Sequence, residues 1–112
     1  MRSIPRFLFL AIMMLAPVVA MAADGEAVFK QQCAMCHGPE GKGMQYVAPA
    51  LKGNEWVTAA DAAAIVKTVR EGRAGDAKRH AADFPAVMPP FPQLSDDEVA
   101  AVAAYVQGAL QE

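Results

Sequence analysis

The sequence predicts a small all-α domain, for three reasons. Apolar residues recur at helical spacing in three stretches of the chain. Loops rich in glycine and proline separate these stretches. No strand pattern surrounds the two cysteines, and no internal repeat is visible.

The N-terminal segment predicts a targeting signal, not a part of the fold. Arg2 and Arg6 form a short positive region, and the run from Phe7 to Leu15 is almost wholly apolar. Ala20-Met21-Ala22 then has the small-x-small pattern of a cleavage site. We therefore expect residues 1–22 to be a secretory signal peptide that is removed.

Cleavage after Ala22 or Ala23 would leave one domain of residues 23–112. The alternative is a retained membrane anchor. The apolar run of residues 7–23, about 17 residues broken by Pro17, is marginal against the roughly 20 that span a bilayer. A domain of this size buries a modest core and benefits from a covalent staple.

Two helices are expected in the first part of this domain. Asp24 and Glu26 suit the start of a helix that leads into the cysteines. A second helix is expected to begin near Thr58, because Thr58-x-x-Asp61 resembles a capping box. Gly72 is the predicted stop of this second helix.

The last helix has the strongest sequence pattern. Ser95-Asp96-Asp97-Glu98 predicts a capping box with further acidic residues in the first turn. Val99, Val102, Ala103 and Val106 follow at helical spacing and predict a buried face.

The run Cys33-Ala34-Met35-Cys36-His37 is the attachment pattern of a c-type haem. Two thiols at this spacing can each add to one vinyl group of the porphyrin, and the following imidazole can then ligate the iron. The competing interpretations are a thioredoxin-like redox pair, a disulfide, or half of a zinc site completed by His80 or an acidic residue. The motif and the export signal together favour one covalently bound haem c.

A haem iron bound by His37 needs a second axial ligand or stays open to exogenous ligands. Met35 lies between the cysteines and cannot reach over the ring, and Met44 starts from the proximal side. His80 is interpreted as a solvated loop residue. Met88, in a proline-dense loop, is the favoured ligand.

The cysteine motif, the short helix before it, the late Met88-Pro89-Pro90 and the amphipathic final helix resemble class I cytochromes c of the small bacterial monohaem type. The resemblance covers residue 24 to about residue 110. It implies the cytochrome c fold, with three to four short helices around one haem and the terminal helices packed crosswise.

The resemblance also implies a role for each matching residue. Cys33 and Cys36 match the thioether positions, His37 the proximal ligand and Met88 the distal ligand. Pro49 matches the proline whose carbonyl holds the proximal imidazole. Members of this family often place a tryptophan near a haem propionate, so a place at the haem edge is one interpretation of Trp56 and plain core packing is the other. Gly25 and Phe29 match first-helix positions that pack against Val102 and Tyr105 of the last helix.

The implied function is a non-enzymatic electron carrier in the periplasm. It would take single electrons from a quinol-oxidising complex or dehydrogenase and pass them to a terminal oxidase or reductase in transient complexes. The alternatives are a dedicated subunit of one periplasmic oxidoreductase and, in a different class, a haem protein that binds ligands or acts like a peroxidase. No stable membrane insertion is expected after signal removal, and the protein is expected to be a monomer or such a subunit.

Charge limits the partners. The chain carries a net charge of −2, and removal of Arg2 and Arg6 leaves 8 basic against 12 acidic side chains, a net charge of −4. Nothing in this balance favours nucleic acid, and an acidic body suits a partner with a basic docking patch. The basic residues Arg70, Arg73, Lys78 and Arg79 are interpreted as a solvated group, with docking or propionate pairing as the alternative.

Overall fold

The computed structural model describes residues 23–112, so the expected signal peptide of residues 1–22 lies outside the described residues. Five α-helices and two 3₁₀ turns form the described part. They are α1 (Gly25–Gln32), α2 (Ala34–His37), α3 (Glu55–Ala59), α4 (Ala62–Glu71), a turn at Gly75–Ala77, α5 (Asp96–Gln107) and a turn at Ala109–Gln111. Only isolated β-bridges occur within residues 23–112, which confirms the all-α prediction.

Two predicted helix starts are confirmed by their hydrogen bonds. The Asp24 carboxylate accepts from the backbone amides of Glu26 and Ala27 at the start of α1. At the start of α5, Ser95 and Glu98 form both hydrogen bonds of a capping box. Each pair satisfies amides that the first helical turn leaves without an internal partner.

The predicted start of the second helix near Thr58 is wrong. Thr58 lies inside α3, where its hydroxyl donates back to the Asn54 carbonyl, and Asp61 precedes α4 without a side-chain cap. Asn54 caps α3 instead, because its side-chain oxygen accepts from the amides of Trp56 and Val57. A threonine can bond an earlier carbonyl from within a helix, so its position alone does not mark a helix start.

The first and last helices meet at very close range. A Cβ atom on Gly25 would lie 2.1 Å from the Ala101 carbonyl oxygen and 2.9 Å from the Tyr105 Cβ. The Phe29 and Tyr105 rings stand 5.5 Å apart at 51°, a favourable tilted contact. Phe29 and Val102 are fully buried between the two helices. The expected pairing of these residues across the helices is therefore confirmed.

The C-terminal part also ties down the segments in the middle of the chain. The Gln107 amide donates to the carbonyls of Val57 and Ala60 at 3.0 and 2.7 Å. The Gln111 amide donates to the Leu51 carbonyl at 2.8 Å. These bonds join α5 and the turn after it to α3 and to the loop before α3. Within residues 23–112 no helix is both long and apolar enough to cross a membrane.

We predict that Gly25→Ala destabilises the haem-loaded protein by about 1–3 kcal/mol, because the added methyl group meets backbone that is part of a helix. The usual effect of this change at a helical position is a stabilisation of roughly 0.5–1 kcal/mol. Urea unfolding followed by circular dichroism measures the difference. A variant more stable than the parent would contradict the proposed role of the close helix contact.

Candidate functional site

One turn of chain brings the cysteine motif together. Cys33 ends α1, and the amides of Cys36 and His37 both donate to its carbonyl, at 3.2 and 2.9 Å. The helical turn therefore carries both sulfur atoms and the imidazole within residues 33–37. No disulfide joins Cys33 and Cys36. Burial raises the pKa of the Cys33 thiol to about 11, with the nearby Cys36 adding to the increase.

The His37 imidazole is buried and has one fixed partner. Its Nδ1 lies 2.9 Å from the Pro49 carbonyl oxygen. Because a carbonyl oxygen only accepts, Nδ1 carries the proton and, in the neutral ring, Nε2 keeps its lone pair. Burial lowers the pKa of His37, although the hydrogen bond to Pro49 acts in the opposite direction. The ring is therefore held in a neutral form suited to metal ligation.

A glycine secures the Pro49 carbonyl. Gly43 has a φ of +81°, and a Cβ atom there would lie 2.6 Å from the Ala50 nitrogen and 2.8 Å from the Pro49 carbonyl carbon. Its amide also donates to the His37 carbonyl at 2.7 Å. Gly43 thus joins the loop that carries Pro49 to the turn that carries His37. In the sequence, Gly43 is distinguished only as one glycine of a glycine-rich loop.

Met88 is held through its backbone against the end of α4. The Arg73 amide donates to the Met88 carbonyl at 2.9 Å, and the Met88 amide donates to the Arg73 carbonyl at 3.0 Å. Gly72, whose φ is +71°, lies so close that a Cβ atom would be 2.4 Å from the Met88 carbonyl oxygen. Gly72 ends α4 as predicted, and it also makes room for the Met88 backbone.

Basic side chains near this loop bind carbonyl groups of the chain. Arg70 donates to the carbonyls of Phe91 and Leu94. Lys78 donates to the carbonyls of Phe84 and Ala86. The interpretation of these two cations as solvated is therefore wrong. Both donate to backbone carbonyls of the loop, and a charged donor strengthens such hydrogen bonds.

Trp56 packs against the hydrophobic core and carries two cations beside its ring. The Arg73 guanidinium carbon lies 4.4 Å from the centre of the ring, and that of Arg79 lies 5.7 Å from it. These distances are within the range of cation–π attraction. Trp56 therefore contributes to the core and also stands beside positive charge.

The predicted site residues border one cavity of about 430 Å³. The cavity lining includes every site residue that the sequence predicts: Cys33, Cys36, His37, Pro49, Trp56 and Met88. Apolar residues of α4 and α5, among them Ile65, Val69, Val102 and Val106, form the walls. The structure thus brings residues from distant parts of the chain to a single apolar space.

The other candidate ligands are less well placed. Met35 is 81% exposed, and Met44, 44% exposed, lies outside the cavity lining. His80 borders the cavity from an exposed loop position. Of the four candidate ligands, Met88 combines partial burial with a backbone that is hydrogen-bonded in place at the cavity.

The residues around the cavity fit a haem. An apolar space within the roughly 300–1,000 Å³ usual for bound organic groups suits a porphyrin. Two thiols on one turn, a neutral imidazole and a thioether supply the attachment and ligand atoms. In the part of the chain that the structure describes, no group of three or more histidine, cysteine, aspartate or glutamate side chains is placed to hold a metal ion, so the zinc alternative has no support there.

Fold and site together define a small helical protein of the c-type haem class, and comparison with known proteins specifies the family. The family model for cytochrome c matches residues 22–109. The chain therefore belongs to the cytochrome c family, whose members bind haem c covalently through a pair of cysteines and transfer electrons.

Similar proteins include subunits of a respiratory enzyme. The chain is 38% identical over 87 residues to the cbb3-type cytochrome c oxidase subunit FixP of Bradyrhizobium diazoefficiens, covering 76% of this chain and 26% of the relative. It is 33% identical over 94 residues to the CcoP subunit of the same type of oxidase from Rhodobacter capsulatus, covering 76% and 28%. The chain thus spans about a quarter of the length of these relatives.

A solved structure with a similar fold is cytochrome c6 from the diatom Phaeodactylum tricornutum. It is 28% identical, with a TM-score of 0.55 over 77% of this chain and 90% of that chain. The c-type cytochrome KustC0563, 23% identical, matches the fold with a TM-score of 0.56 over 76% of this chain and 95% of that chain. The fold prediction is confirmed.

A matched pair of glycines tests how closely Gly72 and Met88 must approach. Gly72 and Gly53 have φ values of +71° and +72°, but a Cβ atom on Gly53 would have no neighbour within 4 Å. Both alanine variants carry the cost of a positive φ, roughly 1–3 kcal/mol. We predict that Gly72→Ala costs about 1–3 kcal/mol more than Gly53→Ala, because a ψ of −170° at Gly72 suits only glycine and because the added methyl group meets the Met88 backbone.

The measurement for this pair is urea unfolding of the two haem-loaded variants. A larger loss at position 72 is the expected result. Equal losses of stability would contradict both the special backbone conformation and the steric contact at position 72.

Proposed function

We propose that this chain is a monohaem electron carrier in which Cys33 and Cys36 would hold the haem and His37 and Met88 would ligate its iron. The observation that carries the proposal is the convergence of these four side chains on one apolar cavity. When bound, the haem supplies one-electron redox chemistry by passing between its ferric and ferrous states.

On the proximal side, the chain prepares His37 for ligation. The Pro49 carbonyl accepts the Nδ1 proton and so orients the ring and raises the basicity of Nε2. Burial lowers the pKa of His37 and so favours the neutral imidazole. This arrangement would present Nε2 to the iron in one orientation.

On the distal side, the chain supplies a thioether sulfur. Methionine as the second ligand raises the reduction potential relative to a second histidine. The backbone pairing with Arg73 and the contact with Gly72 hold Met88 in place. Two ligands from the protein would leave no coordination position for a substrate, which favours electron transfer over catalysis.

Trp56 is assigned to the edge of the same cavity. Its ring lies beside the Arg73 guanidinium, and both residues border the cavity. The indole N–H and the guanidinium are donors that suit a carboxylate such as a haem propionate. Trp56 therefore has a role at the haem edge in addition to its packing in the core.

The proposed route begins with export. A signal peptide of residues 1–22, cleaved after Ala22 or Ala23, would deliver the domain of residues 23–112 to the periplasm. There the protein would carry single electrons from a quinol-oxidising complex or dehydrogenase to a terminal oxidase or reductase. The net charge of −4 on the exported domain favours brief complexes with partners that present a basic patch.

A dedicated subunit of one oxidoreductase is the second candidate function. The observation that favours it is the similarity to the FixP and CcoP subunits of cbb3-type oxidases. Because the chain spans about a quarter of those subunits, it corresponds to one cytochrome domain within them. The two functions share the same haem site and differ only in the lifetime of the complex.

We predict that substitution of Met88 changes the iron ligation. Met88→Ala should lose the weak far-red absorption band of sulfur bound to ferric iron and should bind carbon monoxide in the ferrous state. Met88→His should keep a closed site and lower the reduction potential, because imidazole stabilises ferric iron more than a thioether does. Absorption spectra of both oxidation states and a redox titration measure these effects.

Met44→Ala is the matched control, since Met44 is partly exposed and lies outside the cavity lining. Its spectra and potential should equal those of the parent, and the parent should not bind carbon monoxide. Persistence of the far-red band in Met88→Ala would refute the assignment of Met88. A parent protein that carries no haem would overturn the whole proposal.

The choice between carrier and subunit is tested in the native host. A free carrier should be released with the periplasmic fraction by osmotic shock and should migrate there as a small haem-staining species. The low-affinity contacts expected of a carrier dissociate on dilution. Retention of all the protein in a membrane complex after washing with high salt would favour the dedicated subunit.

A further inference from the structure

We infer that Arg70 is a positioning residue that holds the loop of residues 88–94 closed and so controls how firmly Met88 stays on the iron. The inference rests on the proposed function, since it takes Met88 as the distal ligand. Arg70 is not part of the haem motif and does not border the cavity. Its effect on the iron therefore acts through the backbone of the loop.

The guanidinium of Arg70 bridges three points that follow Met88 in the chain. It leaves the last turn of α4 and donates from Nη1 to the Phe91 carbonyl at 3.3 Å and to the Leu94 carbonyl at 2.5 Å. Its Nη2 lies 2.7 Å from Asp96 Oδ1 at the start of α5. One side chain thus connects the end of α4, the loop and the beginning of α5.

The loop needs such a partner because it has few donors of its own. Pro89, Pro90 and Pro92 have no backbone N–H. Among the described residues, the one backbone hydrogen bond from this stretch to α4 runs from the Phe91 amide to the Val69 carbonyl, at 3.0 Å. Without Arg70, the loop after Met88 would be tied to α4 by that single bond.

The two carbonyl contacts matter more than the ion pair. The Asp96 side chain is fully exposed, so water and salt screen its attraction to Arg70. The Arg70 side chain is only 27% exposed, and its hydrogen bonds to the two carbonyls are charge-assisted and partly shielded. Loss of the guanidinium should therefore loosen the loop, whereas loss of the carboxylate should have little effect.

An external ligand reports how firmly the loop is closed. Imidazole can bind ferric iron only when Met88 has left it, so its apparent affinity rises in proportion to the population of the open loop. Two lost hydrogen bonds to a charged group correspond to a rise of roughly tenfold or more. The intensity of the far-red band reports the same equilibrium without an added ligand.

The experiment uses the full chain with haem attached and measures the imidazole dissociation constant and the far-red band. Arg70→Met keeps the aliphatic stem and removes both carbonyl contacts, so it should bind imidazole roughly tenfold more tightly, or more, than the parent does. Arg70→Lys should lie between Arg70→Met and the parent, because an ammonium lacks the planar fork. Asp96→Asn should stay within about twofold of the parent.

Gln107→Leu is the control for a general loss of stability. Gln107 also donates to two backbone carbonyls, those of Val57 and Ala60. These carbonyls belong to α3 and its C-terminal cap and not to the Met88 loop. This variant should unfold at lower urea concentration while its imidazole affinity stays equal to that of the parent. An equal rise in affinity for Gln107→Leu and Arg70→Met would overturn the positioning role.

Met88→Ala separates failure of this inference from failure of the proposed function. If Met88→Ala binds imidazole tightly while Arg70→Met behaves like the parent, Arg70 does not position the loop, and the ligand assignment stands. If Met88→Ala itself behaves like the parent, the proposed function fails. Should Arg70→Met not fold, Arg70→Lys decides, and an affinity equal to that of the parent would overturn the inference.

Discussion

The close contact between α1 and α5 determines where the two halves of the site lie. α1 ends in the cysteine turn, and α5 begins a few residues after Met88. Gly25 allows the backbone of α1 to reach that of α5, and Phe29 and Tyr105 complete the contact. Since the helices are the stiff parts of the chain, their crossing fixes the separation between the segment that carries His37 and the segment that carries Met88.

Both loops at the cavity are secured by the same physical device. Gly43 lies against the backbone of Pro49, and Gly72 lies against the backbone of Met88. Each glycine combines a positive φ with a contact that leaves no room for a Cβ atom. Backbone packing therefore positions the loops that carry Pro49 and Met88. The hydrogen bond between Pro49 and His37 and those between Arg73 and Met88 fix the orientation of these loops further.

The cations near the distal loop show how such a small domain stabilises irregular backbone. Prolines stiffen the segment after Met88 but remove donors from it, so its carbonyl groups must find other partners. Arg70 and Lys78 supply those donors from side chains. These two positive charges are thus used inside the fold, where they satisfy backbone carbonyls.

Short-range patterns determined much of this protein from the sequence alone. The spacing of Cys33, Cys36 and His37 specified the cofactor chemistry, and the caps at Asp24 and Ser95 located two helix starts, because these features involve residues within one helical turn. The site residues named from the sequence all border one cavity, and their roles toward the haem stay predictions.

Tertiary structure decided the features that join distant residues. Gly72 makes room for Met88, and Arg70 binds carbonyls more than twenty positions away. No local pattern encodes these contacts, because which carbonyl a side chain reaches depends on how the helices cross. The sequence therefore determined which chemical groups the protein offers, and only the packing of α1, α4 and α5 decided which backbone groups hold them in place.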